Sequence, residues 1–159
     1  MKLLTKAISA GLAASLAMGA VATADVGTDD RVKVVLEPHE RHLVLLEMRN
    51  FLNVLQVITT ALTEEDMTTV AQAARTMGSG AANEIPPETT AKLPETFKML
   101  AGTVHTTFDV MALDAESLGD PLHTQRQMGQ LLQTCNACHG IYQVAVESEG
   151  AFPPLTKAR

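Results

Sequence analysis

Cys135, Cys138 and His139 are the residues best able to do chemistry. They stand in Cys135-Asn136-Ala137-Cys138-His139, a C-x-x-C-H spacing. Thiols three residues apart share one face of a helix, so both can reach the two vinyl groups on one edge of a porphyrin. His139, four residues after Cys135, then points toward the iron and can donate an imidazole nitrogen as axial ligand. C-x-x-C-H is the attachment sequence of a c-type haem. C-x-x-C alone also marks redox dithiols and half zinc sites. Zinc needs two more ligands, and His105 and His123 lack the paired spacing that would offer them. A thioredoxin-like dithiol needs a strand–helix context, which the sequence lacks. Covalent haem c is thus the leading reading. A Cys135–Cys138 disulfide or dithiol stands behind it, and zinc behind that.

Four segments with helical periodicity must position these residues. The first runs from about Pro38, a good first-turn residue, to Leu62. Its inward stripe is Arg41, Val44, Met48, Phe51, Leu55, Ile58 and Leu62. The second follows Thr63, which with Asp66 resembles a capping box. Its face is Met67, Val70, Ala71, Ala74 and Met77, and Gly78 and Gly80 end it. Asn83 to Pro94, with three prolines, reads as the long connection. The third helix starts near Pro94 and carries Phe97, Leu100, Ala101, Val104, Phe108, Met111, Ala115 and Leu118 to a stop at Gly119. The fourth opens at Asp120-Pro121. Met128, Leu131, Cys135, Cys138, Tyr142 and Val146 line its face before Gly150 and Pro153-Pro154 close it. Four amphipathic helices with mostly short links predict an all-α chain, an antiparallel four-helix bundle around a covalently bound haem.

Composition agrees with one such domain. The chain has 159 residues, 46% hydrophobic and 19% charged, so it is neither a disordered tail nor a fibre. Aromatics are 3%, with no Trp and one Tyr, which disfavours a β-sandwich. Two cysteines cannot build a disulfide framework, so packing or a bound group must hold the fold. Met1–Ala24 reads as a secretory signal peptide: Lys2 and Lys6, then an apolar Ala-rich run, then Ala22-Thr23-Ala24 for cleavage. Residues 25–159 form the mature domain, exported to the periplasm, where c-type haem is attached. The formal charge is −6, and losing both lysines makes the mature chain two units more negative. Nucleic acid is a poor partner for it. No second span is long enough to cross a membrane.

On Cys135, Cys138, His139 and Tyr142 of the last helix, supported by Arg41, Leu45 and Met48 of an apolar first helix, the chain resembles the class II c-type cytochromes, the cytochrome c′ family. It departs from them in having Gln143 where a basic residue commonly follows the tyrosine, and in lacking the usual Tyr-Arg-Gln run on the first helix. The resemblance implies that the first helix supplies the residue over the distal face of the iron. Met48 there would make a six-coordinate, low-spin electron carrier. The neighbouring register puts apolar Leu45 there and leaves Met48 as packing, giving a five-coordinate iron open to nitric oxide or carbon monoxide. Tyr142 is expected on the haem edge or at a propionate.

The other candidates have plainer roles. His105 reads as a partly buried, hydrogen-bonded histidine rather than a ligand. His39, His42 and His123 read as exposed, and His42 lies roughly 9 Å along the axis from Met48, too far to share one iron with it. Met67, Met77, Met99, Met111 and Met128 suit core packing around a flat cofactor. Arg49 and Arg126 read as surface ion pairs, with pairing to haem propionates as the alternative. The resemblance implies one-electron transfer to redox partner proteins, and the lack of a distal acid–base pair disfavours peroxidase-type catalysis. A homodimer is permitted, and a haem-free, disulfide-stapled bundle is the reading from outside the family.

Overall fold

A computed structural model describes residues 29–147; the expected signal peptide and the closing Gly150 and Pro153-Pro154 lie outside them. The described chain is mostly helical. Strand β1 (Val32–Val35) leads into α1 (Pro38–Thr63) and α2 (Met67–Arg75). A 3-10 turn (Ala81–Glu84) and the single-turn α3 (Pro87–Thr90) occupy the connection. Then come α4 (Glu95–Ser117), α5 (Pro121–Ile141) and β2 (Tyr142–Ala145). Helix α4 packs against α2 and α5, and α1 packs against α2.

Local chemistry sets the helix boundaries. Pro38 opens α1, and Glu40 in its first turn accepts from the Glu37 amide at 2.9 Å. Glu40 is buried, with Lys92 Nζ 2.8 Å from its carboxylate, so that ammonium and the Glu37 amide hold its pKa below the usual value. The cap of α2 differs from the expected Thr63 box. Asp66 is itself the N-cap and accepts from the Thr69 amide, while the Thr63 hydroxyl donates back to the Thr60 carbonyl. Asp120 caps α5 as expected, accepting from the Leu122 and His123 amides. At Gly78 an added Cβ would lie 1.9 Å from Asp109 Oδ1. The glycine lets Asp109 reach in and bind the Ser79 amide and hydroxyl.

The last helix is shorter than its hydrophobic face suggests. It ends at Ile141, and Tyr142 is already extended, with φ −119° and ψ 148°. Tyr142 and Val146 are therefore not helical. Residues Tyr142–Ala145 pair in parallel with Val32–Val35, Val32 opposite Tyr142 and Val35 opposite Ala145. The β-branched residues of Val32-Lys33-Val34-Val35 favour this extended pairing over one more helical turn. Two other positions also depart from the expected stripes. Leu118 lies past the end of α4 and is exposed, and Met99 points to solvent rather than into the core.

The apolar interior falls into two clusters. The larger joins Phe51, Ile58, Val70, Phe108, Met111 and Leu131, drawn from all four longer helices. The smaller joins Val34, Leu36, Val44, Leu93 and Phe97 beneath the ribbon. Phe108 anchors the larger: it is fully buried and stacks on Phe51 with ring centroids 5.7 Å apart. Phe108→Ala should cost about 3–5 kcal/mol, read as a lower urea midpoint at unchanged slope. A loss under about 1 kcal/mol would mean that the helices are held elsewhere.

Candidate functional site

Between the two clusters lies a cavity of about 230 Å³. Helix α1 lines it with Val44, Leu45, Met48 and Phe51, and α4 with Phe97, Leu100, Ala101 and Val104. Cys135, Cys138 and His139 of α5 form the next wall, and Tyr142, Gln143 and Val144 of β2 close it with Arg31. Cofactor sites have this character, a mostly apolar hollow with few polar groups. Every residue named from the sequence as a haem or iron contact therefore borders one cavity. Leu45 and Met48 share its wall, so both distal registers have their residue there.

The two thiols stand at the seam of the interior. Cys135 packs against the larger cluster and Cys138 against the smaller. Both are free and half-buried. Burial pushes both thiols up from their usual pKa, and the neighbouring Cys135 pushes Cys138 further the same way. Their place in the last two turns of α5 also sets them toward the negative end of the helix dipole. Among the described residues, no three His, Cys, Asp or Glu side chains gather into a group able to hold a metal ion.

Tyr142 reaches the cavity by a different route from the one its spacing suggests. As the first residue of β2 it turns its ring onto Phe97 of α4, centroids 5.5 Å apart and planes at 59°. The ribbon is fastened over the cavity by two arginines. Arg41 Nε donates to the Val144 carbonyl at 3.3 Å. Arg31 donates from Nη1 to the His139 carbonyl at 3.2 Å and to the Tyr142 carbonyl at 3.5 Å. Asp29 holds the same guanidinium through two oxygens, Nε–Oδ1 at 2.9 Å and Nη2–Oδ2 at 2.6 Å. The Arg31 hydrogen bonds pull the Asp29 carboxyl down to about 2. Sequence reasoning missed Arg31, because its partners lie 108 and 111 residues away.

Behind Phe51 sits a buried pair. His105 is almost wholly buried, its ring 5.2 Å from that of Phe51. Its Nδ1 lies 2.9 Å from the Met77 carbonyl, and its Nε2 lies 3.3 Å from Glu47 Oε1. Two acceptors facing both ring nitrogens call for the imidazolium, in which both nitrogens donate. Burial pushes the imidazole pKa down, but the Glu47 carboxylate and the Met77 and Gly78 carbonyls outweigh it, and the pKa is raised above 6.5. His39 and His42 are exposed, and His123 pairs with Asp114 at 2.9 Å. Arg49 is exposed, as is Arg126, which lies 3.9 Å from Asp120.

Set against protein-family models, curated proteins and solved structures, the chain matches none of them.

The His105–Glu47 pair makes stability depend on pH. Folded His105 binds its proton more tightly than the unfolded chain does, so its contribution is full below about pH 6.5 and is lost as pH rises through the higher folded-state value. The thermal midpoint should fall between pH 6.5 and 9, and Glu47→Gln should flatten that fall. Identical slopes in the two proteins would refute the pairing.

Proposed function

We propose that this chain is a periplasmic class II c-type cytochrome that transfers single electrons through a covalently attached haem c. One observation carries the reading: C-x-x-C-H lies on the wall of an apolar cavity that also takes in Met48, Leu45 and Tyr142. In this reading α1, α2, α4 and α5 form an antiparallel four-helix bundle. Cys135 and Cys138 would hold the group through thioether bonds, and His139 would donate an imidazole nitrogen to its iron. Met48 is the candidate for the second axial position. Phe97, Val104, Phe51 and the Tyr142 ring line the same cavity and would exclude water from the group. When bound, haem supplies the ferric/ferrous couple, whose potential the axial donors and the surrounding burial set.

The residues present fit the group. The walls are apolar where a porphyrin is apolar, and Arg31 and Gln143 supply polar contact. His139 borders the cavity and would supply the iron with an imidazole nitrogen. The raised thiols argue against the dithiol alternative, since redox dithiols depend on a lowered pKa, commonly at a helix N-terminus. A second reading inside the family rests on Leu45, which borders the same cavity as Met48. With Leu45 over the iron the protein would bind nitric oxide or carbon monoxide instead.

The test is to produce the full chain in a bacterium able to attach c-type haem and to record its spectra. Colour that survives acid-acetone extraction, and is lost in Cys135→Ala/Cys138→Ala, is the expected result. Sharp low-spin bands that ignore carbon monoxide, turning high-spin in Met48→Ala, would mark the electron carrier. High-spin bands that shift with the gas would mark the gas-binding protein. A colourless product from that host would overturn both.

A further inference from the structure

We infer that Arg31 is a positioning residue for His139, supplying from just before β1 the hydrogen bond that the His139 carbonyl lacks where α5 ends. The inference rests on the reading of His139 as an iron ligand. A helical carbonyl normally accepts from the amide four residues on. Tyr142 N still donates to the Cys138 carbonyl as the cap of α5. For His139 the amide in question is Gln143, which already belongs to β2 and stands opposite Lys33. Arg31 takes its place: Nη1 lies 3.2 Å from the His139 carbonyl and 3.5 Å from that of Tyr142.

The guanidinium is itself held fast. Asp29 binds Nε and Nη2, leaving Nη1 aimed at the end of the helix. Gln143 Nε2 donates to the Arg31 carbonyl at 3.3 Å, which fixes the backbone that carries the arginine. A planar fork engaged on two sides has little freedom to turn. A cation at a helix C-terminus also lies favourably in the helix dipole. His139 stands two residues before the helix ends and its side chain is exposed, so the last turn would otherwise be free to fray and let the imidazole turn. Outer hydrogen bonds that orient a ligating histidine tune the metal it binds.

The experiment is electron paramagnetic resonance of the ferric, haem-loaded full chain, with the thermal midpoint measured alongside. The native protein is expected to give one set of g-values. Arg31→Ala should split it into two or more, and Arg31→Lys, which keeps the charge but loses the fork that Asp29 holds, should not restore a single set. Arg41→Gln removes the other fastening of the same ribbon, to the Val144 carbonyl, and should lower the midpoint while leaving one set. A single unchanged set in Arg31→Ala would overturn the inference, and so would equal splitting in Arg41→Gln. If Arg31→Ala does not fold, Asp29→Asn decides: a second set supports the positioning role and an unchanged set overturns it. A native chain without attached haem would instead bring down the functional reading itself.

Discussion

A divided interior is the constraint on which the rest of this structure depends. Apolar side chains gain by contact with one another, and a small domain ordinarily gathers them into one core. Here the cluster around Phe108 and the cluster around Val34 and Phe97 face each other across a cavity. Apolar walls gain dispersion contacts from any apolar group set between them. A flat, largely apolar group bound there would supply them and join the halves. Cys135 and Cys138, one on each cluster, are the residues that would tie such a group to both. In such an arrangement cofactor and fold are mutually dependent, and what binds the cavity also completes the core.

Electrostatics follow the same division. The apolar walls carry no charged side chain except at their edge, where Arg31 stands with its Asp29 partner. The buried charges are set one layer further out. His105 and Glu47 lie behind Phe51, and Glu40 is matched by Lys92 on the connection before α4. Paired in this way, each charge avoids the penalty of isolation in the interior. The pairs also fix how α1 sits on its neighbours. Glu47 reaches His105 of α4 and Glu40 reaches Lys92, and these two join the Arg41 bond to Val144 in holding the helix that carries Leu45 and Met48. The exposed Arg75–Glu116 pair does the same between α2 and α4 at the surface.

What could be read from the sequence was what local spacing encodes. C-x-x-C-H, the Pro38 and Asp120-Pro121 helix starts, and the stripes of Val44, Phe51 and Ile58 or Phe97, Val104 and Phe108 depend on near neighbours. They stand in the structure where the periodicity set them. What escaped depends on partners far along the chain. Tyr142 continues the face of α5 by spacing, yet Val32–Val35 pulls it into a strand. Arg31 carries no local signal, since its acceptors come from the other end of the chain. His105 could be recognised as hydrogen-bonded, but its carboxylate is on α1 and its carbonyl partner follows α2. Met99 has core spacing along α4, but among the described residues no element covers that side of the helix.

The parallel ribbon also has a consequence for the order in which the molecule can be assembled. A hairpin forms as soon as its two strands exist, but parallel strands at opposite ends of a chain cannot. Arg31 and Tyr142 are 111 residues apart, so their pairing waits until nearly the whole chain is available. Loop closure over that distance adds only a few kcal/mol of entropy cost, because the cost grows as the logarithm of length. The delay is therefore a matter of timing more than of energy. Tyr142, Gln143 and Val144 wall the cavity beside Cys135, Cys138 and His139, so that side of it is complete only in the paired ribbon. Ribbon closure is thus among the last contacts the described residues can make, because β2 follows nearly all of them.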